Sequence, residues 1–189
     1  MPRVFDISNS LSWNSYNRKN TFKTLMSGII YYQTKYGSTE EYAKWLSEDV
    51  GFEMIDIKKR PKIGSEKVVV IGSSLMMGKV TAAGWITKNW DKIKDRQLVL
   101  FCVGGSKIGS QVREDIIIRS LPKDVIERMK VFHLPGRIDH KKLNFLMSGI
   151  IKRFAKNEKD EEEKRRALEG YDDVKRENLK PIVEYIKSR

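Results

Sequence analysis

The feature that most limits the fold of this chain is a repeated alternation of short apolar runs with amphipathic segments, which begins at Gly28. The runs are rich in β-branched and aromatic residues, which is typical of buried strands. The strongest, 67–72, is continuously apolar, as expected for a parallel strand covered on both faces. The predicted strands span 28–33, 52–57, 67–72, 97–103 and 130–134.

Helical patterns fill most of the intervals between these strands. Apolar residues recur at helical spacing in 39–50, 82–93 and 112–121, whereas 58–66 is expected to be a loop. A closing helix is predicted over 172–187, and Pro181 should bend it or delay its start. The alternation predicts an α/β fold, a doubly wound five-stranded parallel sheet with helices on both faces. The ligand site of such a sheet lies beyond the carboxyl ends of its strands.

One segment, 137–167, does not fit the alternation, and we interpret it as a helical insertion. Its apolar residues have the spacing of an amphipathic helix; they are Leu143, Leu146, Met147, Ile150, Ile151 and Phe154. Basic residues flank this stripe, namely Lys141, Lys142, Lys152, Arg153 and Lys156. Two interpretations remain open: the stripe packs on the sheet or over the ligand cleft, or it lies on a membrane surface with its lysine stems extended.

The first 25 residues are polar and aperiodic, and they lack the apolar core of a signal peptide. We interpret 1–25 as a disordered N-terminal extension and 26–189 as one domain. The alternative is a short ordered strap that uses Phe5, Leu11 and Trp13.

Composition limits the class of protein. Of the 189 residues, 40% are hydrophobic and 33% charged, which is the profile of a soluble globular protein. No run approaches the roughly 18 apolar residues of a membrane-spanning helix. The single cysteine, Cys102, excludes an intrachain disulfide and a cysteine-cluster metal site, and it fits a reducing, cytoplasmic compartment. No metal site is predicted.

The net charge of +12 predicts an anionic partner. The basic residues are spread along the chain rather than concentrated in one stripe, which argues against nucleic acid. An anionic membrane surface or an acidic small molecule is the better expectation.

The turn after the first strand has the composition of a phosphate-binding loop. It runs through Thr34, Lys35, Tyr36, Gly37, Ser38 and Thr39, and a helix begins there. A helix N-terminus offers unpaired backbone N–H groups and a favourable dipole, hydroxyls add donors, and glycine lets the backbone approach a ligand closely. The loop lacks the lysine of a nucleoside-triphosphate loop and the three glycines of a dinucleotide loop. The alternative is a plain strand-to-helix turn.

Two further loops of small residues follow the third and fourth predicted strands. The first contains Ser73, Ser74, Leu75, Met76, Met77 and Gly78, and the second contains Val103, Gly104 and Gly105. Apolar walls next to accessible backbone amides suit a flat heteroaromatic ring. All three loops are expected at one edge of the sheet. Methionines that only cap the core are the alternative for the first.

The spacing of Tyr32, Thr34, Gly37, Thr39 and Ala43 after an apolar strand resembles the flavodoxin signature. The segment 69–78 is similar to the flavin-side loop of the branch that contains the menaquinone-dependent protoporphyrinogen dehydrogenases. The segment that begins at Gly136, Arg137 and Ile138 is similar to the last third of that branch. The resemblance covers about 28–189 and implies a flavodoxin-like sheet of strand order 2-1-3-4-5.

The resemblance implies FMN as the cofactor, with its phosphate in the first loop and its ring near the other two. It also implies a redox protein that oxidises a porphyrinogen or similar acidic tetrapyrrole and passes electrons to a quinone or another redox partner. The flavin carries the chemistry, so no catalytic acid or base is assigned. The expected location is the cytoplasm, with peripheral contact at an anionic membrane. Arg137, Lys141 and Lys142 are candidate contacts for the substrate or the membrane.

The alternative function belongs to another class, a flavodoxin-like module that has no flavin and serves interaction or regulation. Its amphipathic helix would then contact a protein partner. Cys102 and His133 lie in predicted strands, and we expect both to be core residues.

Overall fold

The sheet at the centre of the domain has five parallel strands in the predicted topology. The computed structural model describes residues 27–105 and 110–188, so the predicted extension 1–25 lies outside the described residues. The strands are β1 (Gly28–Gln33), β2 (Glu53–Asp56), β3 (Val68–Met76), β5 (Gln97–Gly104) and β6 (Met129–Pro135), with a short β4 (Lys79–Val80) beside β3. Their order is β2-β1-β3-β5-β6, which confirms the predicted order of the five parallel strands.

Alternate residues of the central strands enter two separate apolar layers. On β5, for example, Leu98 and Leu100 face one layer, and Val99 and Phe101 face the other. Both faces are covered, which explains why these strands are continuously apolar in sequence. The helices are α1 (Ser38–Val50), α2 (Ala83–Ile93), α3 (Gln111–Ser120), α4 (Lys123–Glu127), α5 (Phe145–Asn157), α6 (Glu161–Glu169) and α7 (Lys180–Lys187).

The third strand is longer than predicted. Its expected end was residue 72, but β3 continues to Met76 and turns through Met77 and Gly78 into the antiparallel β4. Ser73 is paired with both Gln33 on β1 and Cys102 on β5, so the neighbouring strands hold the polar residues in extended backbone. The prediction of an irregular loop from 73 to 78 was therefore wrong for its first part.

The closing helix is shorter than predicted, because the expected start at 172 was wrong. Tyr171 and Asp172 form β8, which pairs antiparallel with β7 (Arg137–Ile138). A 3₁₀ turn (Arg176–Leu179) follows, and α7 begins at Lys180 with Pro181 in its first turn. Proline is favoured there because its missing N–H has no partner in the first turn of a helix in any case.

The predicted helical insertion is present as two helices. α5 contains most of the predicted apolar stripe, and Asn144 caps it by accepting a hydrogen bond from the Met147 N–H. α6 follows after a short break, and the Asp160 carboxylate caps it. The two helices pack on each other. They lie in the chain between β7 and β8, which pair with each other at the base of the insertion. Among the described residues, no helix is long and apolar enough to cross a membrane.

Candidate functional site

The loops after β1, β3 and β5 meet at the carboxyl edge of the sheet, as the parallel order requires. A hydrogen bond between two hydroxyls joins the first two, because Thr39 Oγ1 and Ser74 Oγ are 2.8 Å apart. Thr39 is fully buried. The first two predicted loops are therefore directly connected.

The loop before α1 is built around Gly37. Its φ of 94° lies in the left-handed region, which favours glycine, and its N–H donates to Thr34 Oγ1 at 3.0 Å. No side chain caps α1, so the first N–H groups of the helix lack the capping partner that Ser, Thr or Asp often supplies. Nothing lies within 4 Å of a Cβ placed on Gly37. The geometry suits an anion that approaches the helix N-terminus from the side of Gly37.

Two lysines add positive charge to this loop. Lys58 Nζ donates to the Thr34 carbonyl at 2.9 Å, and Lys35 Nζ lies 5.8 Å from the centre of the Tyr36 ring. Lys35 was among the predicted residues, but Lys58 was not. Lys58 sits in the 3₁₀ turn after β2 (Ile57–Lys59), and its sequence position carries no signal that it reaches the end of β1.

The first turn of α1 also contains two acidic residues, and each has a partner. Glu40 accepts a hydrogen bond from the Tyr32 hydroxyl at 3.1 Å. Burial and this carboxylate raise the pKa of Tyr32 to about 12. Glu41 pairs with Arg137, whose guanidinium also lies 3.3 Å from Asp172. Arg137 therefore connects α1 with the β7–β8 pair, and its predicted contact with a substrate or a membrane stays a prediction.

Ser73 and Ser74 have different environments. Ser73 is fully buried, and its hydroxyl accepts from the Ala82 N–H at 3.0 Å and hydrogen-bonds Thr81 Oγ1 at 3.1 Å. It therefore supports the start of α2 from inside the fold. Ser74 faces the first loop through its bond to Thr39. Of the two predicted serines, Ser74 is the one near the place where a ligand would bind.

The remaining residues of this loop form the β3–β4 hairpin. Leu75 lies against Gly104, where a Cβ in place of the glycine hydrogen would be 3.2 Å from the Cβ of Leu75. Met77 is exposed over 66% of its surface and, like Gly78, has positive φ. A groove of about 700 Å³ runs beside the hairpin and is bounded by Met76, Met77, Lys79 and Arg119. The methionines are thus surface walls, which argues against the alternative that they cap the core.

The loop after β5 contributes backbone rather than side chains. Val103 is 4% exposed and belongs to the apolar layer under α1 and α7, so its side chain points away from the edge. Gly104 and Gly105 end the strand, and their carbonyls accept from Arg113 and Tyr171, respectively. Arg113 and Tyr171 were not predicted as site residues. The next residue, Ser106, lies outside the described residues.

A second cavity, of about 430 Å³, lies between the α5–α6 pair and the end of β5. Its walls include Gly105, Ile138, Ile150, Ile151, Phe154 and Tyr171. The inner side of the amphipathic stripe thus lines a cavity next to the predicted ligand edge. Leu146 of the stripe and the neighbouring Phe145 face outward, with 65% and 97% of their surface exposed, and Phe154 lies at the rim of the cavity with 53% exposed.

The described residues contain no group of histidine, cysteine and carboxylate side chains that could hold a metal ion. Cys102 is fully buried, and burial raises the pKa of its thiol to about 12. His133 lies 2.9 Å from the Glu114 carboxylate. Cys102 is thus a core residue as expected, whereas His133 is only partly buried.

The donor groups of this edge match a phosphorylated aromatic cofactor. An uncapped helix start with two nearby lysines can bind a phosphate, while a methionine hairpin and a glycine backbone can contact a flat ring. A five-stranded parallel sheet with its ligand loops at this switch point defines a flavodoxin-type protein. A family model described as a flavodoxin domain matches residues 29–165, and the chain belongs to that family.

Solved structures with similar folds are distant in sequence. A flavodoxin from the domain Archaea shares 14% identity with a TM-score of 0.45, covering 86% of this chain and 99% of its own. A WrbA-like flavodoxin from Agrobacterium tumefaciens shares 15% identity with a TM-score of 0.39, and the alignment covers 55% of this chain and 71% of that protein. The Trp repressor binding protein from Bacillus subtilis shares 12% identity with a TM-score of 0.42, and the alignment covers 75% of this chain and 94% of that protein. No curated protein matches the chain.

Proposed function

We propose that the protein binds FMN at the carboxyl edge of the sheet and acts as a redox protein. The observation that carries this proposal is the connected edge itself, where the Thr39–Ser74 bond joins the loop at the α1 N-terminus to β3. Membership of the flavodoxin domain family supports a flavin. Bound flavin supplies electron transfer, and the protein sets its potential and the access to it.

The first loop favours FMN over riboflavin. Its backbone donors, the space beside Gly37 and the charges of Lys35 and Lys58 suit a phosphate, which riboflavin lacks. Hydrogen bonds to a charged group contribute about 1.5–3 kcal/mol each, so the phosphate would account for a large share of the affinity.

The proposed reaction is the oxidation of a porphyrinogen-type substrate, with a quinone as the electron acceptor. Each oxidation step removes one electron pair and two protons from the substrate, and one quinone takes them up to become one quinol. The similarity of 69–78 to the protoporphyrinogen dehydrogenase branch supports this assignment, as does the net charge of +12. The groove near Lys79 and Arg119 could bind an acidic tetrapyrrole, and the apolar cavity under α5 could bind a quinone ring.

We also propose that the outer face of α5 contacts an anionic membrane surface peripherally. Its exposed apolar residues, Phe145, Leu146 and Phe154, lie on the same helix as Lys152, Arg153 and Lys156. Each basic residue near an anionic surface contributes about 1 kcal/mol at most, and salt screens it. This placement would bring the protein close to a membrane-dissolved quinone.

The competing function is a flavin-free interaction module, and colour separates the two. The decisive experiment is an anaerobic FMN titration of purified protein, with riboflavin as the matched ligand, followed by a screen of porphyrinogens and quinones. We expect yellow protein, tighter binding of FMN than of riboflavin, and flavin reduction by a porphyrinogen. Colourless protein that binds neither flavin would support the interaction module instead.

A further inference from the structure

Two side chains from outside the predicted loops hold consecutive carbonyl groups at the end of β5. Arg113 Nη2 donates to the Gly104 carbonyl at 2.7 Å, and the Tyr171 hydroxyl donates to the Gly105 carbonyl at 3.1 Å. Arg113 comes from α3 and Tyr171 from β8, so two separate elements converge on this one turn. We propose that Arg113 and Tyr171 are positioning residues that hold the two peptide groups flanking Gly105, so that the Gly105 amide N–H keeps its direction toward the ring of the bound flavin. This inference rests on the proposed flavin binding.

Arg113 determines the direction of the first peptide group. Its guanidinium also donates to the Leu134 carbonyl at 3.0 Å, and it therefore lies between the ends of β5 and β6. The Gly104 carbonyl consequently points to the β6 side. No cis peptide bond is found among the described residues, and in a trans peptide the N–H points opposite to the carbonyl. The Gly105 N–H is thus directed toward β3 and Leu75. This is the space between the loops after β3 and β5, where the flavin ring is expected.

Arg113 is suited to a fixed position because it is almost completely buried, with 1% of its surface exposed. Burial lowers the pKa of its guanidinium, but arginine remains protonated at any ordinary pH. A charged donor makes a stronger hydrogen bond than a neutral one. The carbonyl direction at Gly104 is therefore held firmly, without a side chain that occupies the cleft.

Tyr171 holds the next carbonyl, that of Gly105 itself, and so limits rotation of the backbone at Gly105. A Cβ at Gly105 would lie 2.7 Å from the Tyr171 hydroxyl, which is closer than real contacts allow. Arg166 covers the Tyr171 ring, with its guanidinium carbon 4.3 Å from the ring centre, and it pairs with Asp173. Burial raises the pKa of Tyr171 to about 12, so the hydroxyl keeps its proton and remains a donor at neutral pH.

The consequence for a flavin follows from where reduction adds electron density. A backbone N–H held toward the polar edge of the ring stabilises the negative charge that develops there, and it does so without reorganisation because its direction is already fixed. Such a donor binds reduced flavin more tightly than oxidised flavin. It therefore raises the reduction potential, which is one of the ways a protein tunes its cofactor.

The test compares Tyr171→Phe with wild type in FMN affinity for both redox states and in midpoint potential. Tyr171→Phe removes a hydrogen bond within the protein, and the net worth of that bond, a factor of about 3 to 10, sets the upper limit of the loss in FMN binding. We expect this loss mainly for reduced FMN, and for a two-electron couple it corresponds to a fall of about 15–30 mV. In the NMR spectrum of the flavin-free protein, the Gly105 amide should give a single sharp signal in wild type. In Tyr171→Phe, conformational exchange should broaden that signal.

Tyr31→Phe is the control, because Tyr31 is a fully buried tyrosine in β1 whose ring packs on Trp85, with 4.7 Å between the ring centres. It should change stability but not the potential. Arg113→Lys is the second variant, and it keeps the charge while losing the two-carbonyl bridge; we expect a lower potential there too. If wild type binds FMN but the folded Tyr171→Phe variant has the same midpoint potential as wild type, this inference is overturned and the proposed function stands. Wild type that binds no FMN overturns the proposed function as well.

Discussion

Thr39 Oγ1 and Ser74 Oγ are 2.8 Å apart, and this single contact joins the helix start after β1 to the end of β3. Thr39 is buried, so its hydroxyl has no access to bulk water when Ser74 is removed. The bond therefore stabilises the shape of the ligand edge as well as the domain.

We expect Thr39→Val and Ser74→Ala each to lower the free energy of unfolding by about 1 kcal/mol. Because both variants remove the same bond, the double variant should cost less than the sum of the two single ones. Chemical denaturation of all four proteins measures this coupling. Additive effects would show that the two hydroxyls do not interact in solution.

Gly37→Ala should weaken FMN binding more than it weakens the fold. The positive φ of 94° costs a non-glycine residue about 1–2 kcal/mol, but the new methyl group meets no protein atom within 4 Å. The methyl group instead occupies the space through which the phosphate is expected to approach. Gly149→Ala, in the middle of α5, also meets no protein atom and should raise stability by up to about 1 kcal/mol without a change in affinity. Equal FMN affinity in wild type and Gly37→Ala would contradict the phosphate-loop assignment.

Lys58→Ala should weaken FMN binding in a salt-dependent way. Its ammonium lies at the Thr34 carbonyl, close to the proposed phosphate. An exposed charge contributes up to about 1 kcal/mol, or roughly fivefold in affinity, and the difference should shrink as the ionic strength rises. Lys59→Ala is the matched control, since Lys59 is exposed in the same 3₁₀ turn. FMN titration at low and at high salt measures both affinities. Equal FMN affinities of Lys58→Ala and Lys59→Ala at low salt would refute the role of Lys58.

The membrane proposal predicts salt-sensitive binding to anionic but not to neutral liposomes. Lys152→Glu/Arg153→Glu should abolish this binding, because α5 would then repel an anionic surface. Lys62→Glu/Lys67→Glu makes the same charge change at exposed positions in the segment before β3 and should bind as wild type does. Sedimentation measures all three proteins. If equal amounts of protein sediment with anionic and neutral liposomes, the membrane proposal is wrong and the apolar stripe serves only as a wall of the cavity.

Stability should fall at alkaline pH, partly because of Cys102. Its pKa is about 12 in the folded protein against a usual 9.0, so the unfolded chain loses the thiol proton first. The unfolded state then binds fewer protons, and the free energy of unfolding decreases as pH rises above about 9. Cys102→Ala should be less stable at neutral pH, because it leaves a cavity, but its stability should fall less steeply with pH. Parallel slopes for the two proteins would contradict the thiol contribution.

Local sequence patterns were enough to predict a parallel sheet and the edge at which the candidate ligand loops meet, whereas the strand order followed from the resemblance to flavodoxins. Strand burial is a local property that is visible as continuous apolar runs, such as Val68–Met76 in its first half. The loop at Gly37 was also readable, because left-handed backbone and an uncapped helix start require particular residue types. These features depend on neighbours within a few positions along the chain.

Contacts that add to the candidate site became visible only in the folded chain. Lys58 reaches Thr34 across 24 positions, and Tyr171 reaches Gly105 across 66, and no local pattern announces either contact. The strand continued through Ser73 and Ser74 because β1 and β5 paired with their backbone, whatever their side chains favoured. Hydrogen bonds between distant segments depend on how the elements pack, and packing is settled only when the whole chain folds.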